Sequence, residues 1–256
     1  MPSLEIALVP LLKDNYGYLL HEPRQGLTAI VDPSEAEPVL EAVSARGWRL
    51  THVLNTHHHG DHCGGNMGLK AATGARVVGP AYDRDRIPAI DEAVDEASGF
   101  ALGEARARVL FIPGHTRGHI AFWFEAAQAL FCGDTLFSLG CGRMFEGDPV
   151  MMWGSLTKLR ALPGETRVYC GHEYTEANAR FALTVDPENQ ALRARSAAVK
   201  RLRDEGRPTI PSTLAEERAA NPFLRADDPA LAERLGLAGR PAHEVFGEIR
   251  RRKDQF

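Results

Sequence analysis

The stretch NTHHHGDHCGGN, Asn55 to Asn66, places four histidines within six residues: His57, His58, His59 and His62, interrupted by Gly60 and Asp61. The chain holds ten histidines in 256 residues, so nearly half of them sit in one turn. The run is neither contiguous nor terminal, as a purification tag would be. A solvated polar loop is the plain alternative, but imidazole is the commonest metal ligand at neutral pH. The apolar run THVLN leading into it reads as a strand. In an extended backbone His57 and His59 point the same way and can converge on one ion. Asp61 and His62 are adjacent and followed by CGGN, so the chain must turn there, into a helix. Their side chains diverge from the first pair and can serve a second ion.

Three further signals lie downstream, each at the end of a strand-like run and each after a glycine. VLFIPGHTRGH supplies His115, ALFCGDTLF supplies Asp134, and RVYCGHEY supplies His172. Tight exits from strands are where functional groups are placed on loops over a rigid scaffold. The strand-like runs LEIALVPL, YGYLL, LTAIVDP, THVLNT, RVVGP, ARVLFIPG, IAFWFE, ALFCGD and TRVYCGHE fill the first two-thirds of the chain. Helical patterns lie between some of them. SEAEPVLEAVSARG opens on Ser34 as its cap, and DPVMMWGSLTKLRALPG ends at Pro163-Gly164. Two strand clusters with helices outside them make a layered α/β sandwich. From about Thr175 the composition shifts to Ala, Arg, Glu and Leu. PENQALRARSAAVKRLRDEG and HEVFGEIRRRKDQF read as helices, joined by a proline-marked crossover, GRPTIPSTLAEERAANPFLR.

Composition bounds the function. With 44% hydrophobic and 25% charged residues the chain suits a globular protein that buries a core without disulfides. A net charge of −4 argues against a general nucleic-acid binder, which needs a basic surplus. Cys63, Cys132, Cys141 and Cys170 form no CxxC pair and read as reduced, packing thiols of a cytoplasmic protein. The opening MPSLEIALVPLLKDNYGYLL lacks a basic start and a small-residue cleavage site, so no signal peptide is expected. No apolar run reaches the roughly 18–20 residues that span a bilayer, so no membrane partner is expected.

HxHxDH, followed by GHTRGH, GDTLF and CGHEYT, resembles the metallo-β-lactamase superfamily. With GCGRMFEG and the terminal RRRKDQF added, the chain resembles more closely the glyoxalase II (hydroxyacylglutathione hydrolase) family over essentially its whole length. The resemblance implies a four-layer αββα metallo-β-lactamase-like sandwich over residues 1–173. It also implies a smaller C-terminal α-helical domain over 174–256 that binds substrate. It assigns His57, His59 and His115 to one metal, Asp61, His62 and His172 to a second, and Asp134 to both. Asp61 and Asp134 are thereby the catalytic carboxylates. Imidazole with carboxylate suits two divalent ions, zinc first, with iron or manganese as alternatives. Two metals at such a site acidify a bridging water and receive the developing oxyanion. No GxSxG elbow offers a covalent nucleophile.

The implied enzyme is a metal-dependent thioester hydrolase. It would convert S-(2-hydroxyacyl)glutathione, chiefly S-lactoylglutathione, to glutathione and D-lactate in methylglyoxal detoxification, as a monomer. Arg143, Phe145, Tyr174, Arg250 and Lys253 are the expected glutathione contacts, Arg250 and Lys253 sharing one helix face. Some family members carry lysine and tyrosine where this chain has Arg143 and Phe145; the phenylalanine lacks a hydroxyl and one hydrogen bond to the tripeptide. The competing readings are a mononuclear-iron persulfide dioxygenase of the same fold and a non-catalytic protein that binds metal or thiol conjugates. A ribonuclease would want a basic arm, and a secreted β-lactamase an export signal. Of the other histidines, His21, His52 and His243 read as surface or partly buried polar residues, and His58 as pointing away from the ligands. His119 is a candidate to orient the site. Asp32 either anchors the metal loops or is a simple turn residue.

Overall fold

The computed structural model describes residues 4–256; the Met1-Pro2-Ser3 opening of the N-terminal stretch lies outside the described residues. The chain divides into two compact units. The first comprises residues up to Phe111 together with Gly118–Gly133, the second Ile112–Arg117 with Asp134–Phe256.

In the first unit the strands are β1 (Glu5–Leu11), β2 (Asn15–Glu22), β3 (Leu27–Val31), β4 (Leu50–Leu54), β5 (Arg76–Pro80), β6 (Glu92–Val94), β7 (Phe100–Leu102), β8 (Ala105–Phe111), β9 (Ile120–Phe124) and β10 (Ala129–Gly133). The helices are α1 (Glu37–Ser44), α2 (Gly60–Cys63) and α3 (Asn66–Thr73). One sheet has the order β1-β2-β3-β4-β5-β6. Its first three strands are antiparallel, joined by short turns, and β3 to β6 are parallel. Parallel neighbours need a crossover, and α1 and α3 lie on the two that precede β4 and β5. Their apolar faces (Val39, Val43, Leu69) close over Leu19, Ile30, Val53 and Val77 on one side of the sheet. Alternation sends Tyr18 and Leu20 to the other side. There Tyr18 meets Phe131 of β10 with ring centroids 5.6 Å apart. β10, β9, β8 and β7 run consecutively in the second sheet, so β-sheet packs on β-sheet, with α1 and α3 on the outer face of the first.

One local expectation is corrected. Ser34 does not cap α1, whose N-cap is Ala36 with no side-chain cap bond and whose first turn holds Pro38. The Ser34 hydroxyl instead donates to Asp61 O at 2.5 Å, stitching the metal loop to the end of β3.

The second unit holds β11 (Leu136–Phe137), β12 (Gly140–Cys141), α4 (Pro149–Arg160), β13 (Arg167–Cys170), α5 (Thr175–Val185), α6 (Gln190–Asp204), β14 (Ser212–Thr213), α7 (Leu214–Ala220), α8 (Pro229–Arg234) and α9 (Ala242–Asp254). Asp148 caps α4 by accepting from Met151 N–H, and Asn189 caps α6 by accepting from Leu192 N–H. The expected crossover between α6 and α9 carries α7, started by a capping box between Thr213 and Glu216. Among the described residues no helix is long and apolar enough to cross a membrane.

Candidate metal centre

The first unit carries four candidate ligands on one turn. β4 ends at Leu54, and His59, extended at φ −62 and ψ 143, is the N-cap of the short α2 that holds Asp61 and His62. His57 Nε2 lies 3.2 Å from His59 Nδ1, and His62 Nε2 lies 3.6 Å from Asp61 Oδ2. The second unit carries the other three. Asp134 Oδ2 is 3.5 Å from His115 Nε2 and 3.3 Å from His172 Nε2. Two ligand atoms each 2.0–2.1 Å from a tetrahedral ion stand roughly 3.4 Å apart. All four separations match that bite, so the donor sets of both units fit a divalent metal ion. Asp32, His57 and His62 also offer ligand atoms within 4.8 Å of one another, but the Asp32 oxygens are engaged otherwise.

Asp32 anchors the loop. It sits at φ +49 directly after β3. Its Oδ1 accepts from Thr56 N–H at 2.7 Å, and its Oδ2 accepts from Thr56 Oγ1 at 2.6 Å and from His62 Nδ1 at 3.2 Å. A proton on His62 Nδ1 leaves the Nε2 lone pair facing Asp61, the tautomer a metal ligand needs. His115 is treated alike: its Nδ1 donates to Arg143 O at 2.8 Å, leaving Nε2 toward Asp134. His119 stacks on His57 with centroids 4.6 Å apart, and its Nδ1 donates to Ile120 O. It therefore packs against the candidate ligand His57 and fixes that ring's face. His58 turns aside to Asp83 Oδ2 at 2.9 Å, as its alternation requires.

Other partners of the loop carry no signal in sequence spacing. Asn15 Nδ2, 46 residues away, donates to Asp61 Oδ2 at 3.2 Å and to Asp61 O at 3.0 Å. Asp83, 25 residues from His58, is buried in a short 3-10 turn. Glu173, between His172 and Tyr174, turns inward to accept from Thr209 N–H and Thr209 Oγ1 at 2.8 and 2.6 Å. The four cysteines form no disulfide with one another and are buried. Burial pushes the Cys63 and Cys141 thiols up to about 11 and that of Cys170 up to about 12, so these three stay protonated at neutral pH. Cys63 Sγ also donates to His58 O and His59 O, at 3.3 and 3.2 Å.

The five expected substrate contacts all lie in the second unit, in unlike settings. Phe145 is 63% exposed and meets the His115 ring edge-on at 5.2 Å; Tyr174 is 38% exposed and stacks on His172 at 4.6 Å. Arg143 is largely exposed, with Nε 3.6 Å from Asp254 Oδ1. Lys253 is half-buried, lying over the Phe181 and Phe256 rings and donating to Ala177 O at 3.2 Å. Burial, reinforced by Arg250, Arg180 and Arg143, pulls its ammonium down to about 8. Arg250 shares the face of α9 but is only 4% exposed. Its Nη1 donates to Cys141 O at 2.8 Å, its Nη2 to Asp254 Oδ1 at 3.0 Å, and it covers the Phe223 ring. Its guanidinium is engaged within the fold.

A family model of the metallo-beta-lactamase superfamily matches residues 16–172, and one of the hydroxyacylglutathione hydrolase C-terminus matches residues 173–256. The chain is similar to the hydroxyacylglutathione hydrolase of Methylococcus capsulatus, at 65% identity over 253 residues, 99% of each protein. It is similar to that of Rhodospirillum rubrum at 55% identity over 256 residues, 100% of each. Among solved structures it is similar to ETHE1 from Myxococcus xanthus, at 26% identity and a TM-score of 0.69, covering 97% of this chain and 90% of that one. Both family models and both full-length relatives agree, and the chain belongs to the hydroxyacylglutathione hydrolase family of the metallo-beta-lactamase superfamily.

Proposed function

We propose that this protein hydrolyses S-(2-hydroxyacyl)glutathione thioesters, chiefly S-lactoylglutathione, to glutathione and the free 2-hydroxy acid. The observation that carries the reading is Asp134, one carboxylate oxygen standing at ligand-to-ligand distance from two imidazole nitrogens. It does so in a chain that matches hydroxyacylglutathione hydrolases end to end. His57, His59 and His115 would hold one ion, Asp61, His62 and His172 the other, and Asp134 both. The donor set suits zinc, iron or manganese. When bound, such a pair supplies Lewis acidity to the thioester carbonyl and acidifies a water nucleophile.

The remaining work falls to the chain. Asp32 and Arg143 O hold His62 and His115 in the ligating tautomer. Residues 174–256 form the glutathione-recognising part, and 1–173 the catalytic part. Arg143 and Lys253 supply cations for the tripeptide carboxylates, and Tyr174 a hydroxyl for its amides. Phe145 presents an apolar face beside His115. Arg250 acts one step removed, by fixing Cys141 two residues before Arg143. Four cysteines outside any disulfide suit a reducing cytoplasm, and a monomer is part of the same proposal.

The test is turnover of S-lactoylglutathione by purified protein with metal analysis and an oxygen electrode. Thioester hydrolysis with two metals per chain is the expected result. One iron with oxygen consumption on a glutathione persulfide would replace this reading with the dioxygenase, and metal binding without turnover with a binding protein.

A further inference from the structure

β11 and β12 are two residues each, pairing Leu136 with Cys141 and Phe137 with Gly140. A ladder this short does not hold itself. Its tip is instead bonded by side chains from the helical segments. Leu139 has φ +57, a left-handed conformation unfavourable for a branched residue, and its side chain is buried among Ala179, Ala182, Leu192 and Ala220. Its N–H donates to Oε2 of Glu217, a fully buried carboxylate on α7, at 2.8 Å. Asn221 Nδ2 donates to the same oxygen at 3.0 Å and to Phe137 O and Gly140 O at 3.1 and 3.0 Å. Asn178 Nδ2, on α5, donates to Ser138 O at 3.1 Å.

Both ends of this hairpin reach the site. Asp134 lies two residues before β11. Gly142 N–H closes the base on Thr135 O at 3.2 Å, and Arg143 O then orients His115. A shift of the tip therefore moves Asp134, the partner of His115 Nδ1 and the Arg143 cation together.

We propose that Glu217, with Asn221 and Asn178, is a positioning residue for the reaction: it clamps the strained Leu139 tip and so sets Asp134, His115 and Arg143. None of the three touches a reacting atom. The inference rests on the function proposed above, and the experiment separates the two. Glu217→Ala is compared with wild type by hydrogen exchange of the 136–141 segment, by the visible spectrum of cobalt-substituted protein, and by kinetics on S-lactoylglutathione. The expected result is faster exchange at Leu139, an altered cobalt spectrum at temperatures where the variant is folded, and kcat/KM lowered roughly tenfold, the low end for losing support of a metal ligand. If Glu217→Ala does not fold, Asn178→Ala, which removes one donor from the tip, takes the same three measurements. Unchanged exchange overturns the proposal. So does faster exchange with the wild-type cobalt spectrum and rate, because the clamp would then be structural alone. A wild-type protein inert toward the thioester would sink the proposed function, while exchange and spectrum still decide whether Glu217 sets the metal ligands.

Discussion

Asp32 holds a left-handed backbone, φ +49, that costs a non-glycine residue on the order of 1–3 kcal/mol unless its surroundings impose it. Here three donors impose it, two from Thr56 and one from His62. Asp32→Asn keeps the volume but replaces one accepting oxygen with an NH2 that faces those donors. Its expected effect is a 10–100-fold loss in affinity for one of the two ions, the usual range for a partner of a metal-bound histidine. Competition with a chelator reads it; equal weakening of both ions would mean that Asp32 only stabilises the fold. Lys253 offers a second prediction. Its ammonium, lowered to about 8 by burial and then by Arg250, Arg180 and Arg143, is charged below that pH and neutral above it. Asp254 opposes the shift. A cation that grips a glutathione carboxylate should thus lose its hold as pH rises through about 8, with KM rising and kcat unmoved. Lys253→Arg keeps its charge throughout and should flatten that rise; an identical profile in the variant would remove Lys253 from the subsite.

At the scale of elements, the connection after β12 is the tightest point of the site. A Cβ on Gly142 would lie 1.8 Å from Asp134 O and 3.1 Å from His115 Nδ1. Backbone cannot yield there without moving Asp134, so Gly142→Ala should cut metal content and kcat/KM together by more than about tenfold. A variant with full metal occupancy and normal turnover would show that the loop relaxes elsewhere. The same region explains what the sequence could and could not reveal. The nine strand-like runs all became strands, because each is long enough to show alternation or a sustained apolar run between breakers. β6, β7, β11, β12 and β14 are two or three residues long, and no periodicity can appear in that length. α7 was legible in principle, since Thr213 and Glu216 are spaced as a capping box, but the prolines around it read as crossover. Ser34 misled because a serine before an apolar periodic run looks like a cap whether or not its hydroxyl is needed by Asp61. The candidate ligands were legible because imidazoles and carboxylates after glycines at strand ends are conspicuous. Asn15, Asp83 and Glu217 were not, since their partners lie 46, 25 and 78 residues away and only the fold brings them near.

For the molecule as a whole, the proposed division of labour between residues 1–173 and 174–256 turns on two of the four cations of α9, which sit in opposite settings. Lys253 is half-buried at the edge of an aromatic pair, while Arg250 is inside, bonded to Cys141 O and laid over Phe223. Removing Lys253 leaves the packing near Cys141 intact. A hydrogen bond to a charged group is worth about 1.5–3 kcal/mol, so Lys253→Ala should cost roughly ten- to a hundredfold in kcat/KM on S-lactoylglutathione. If the grip is equal in ground and transition states, the loss falls on KM. A short thioester without the tripeptide should not register it. Arg250→Ala should behave differently. It strands Cys141 O, at about 1–3 kcal/mol for a buried unsatisfied group, and removes a stacked cation worth about 1–2 kcal/mol more. The melting temperature should drop, and kcat/KM should fall by similar factors on both substrates, since the Cys141–Arg143 segment shifts whichever thioester is bound. Assays of both variants on both substrates at fixed ionic strength, with melting curves alongside, decide the matter. A loss confined to the glutathione substrate in Arg250→Ala, at unchanged melting temperature, would return Arg250 to the direct contacts and require its guanidinium to leave Cys141 when substrate binds.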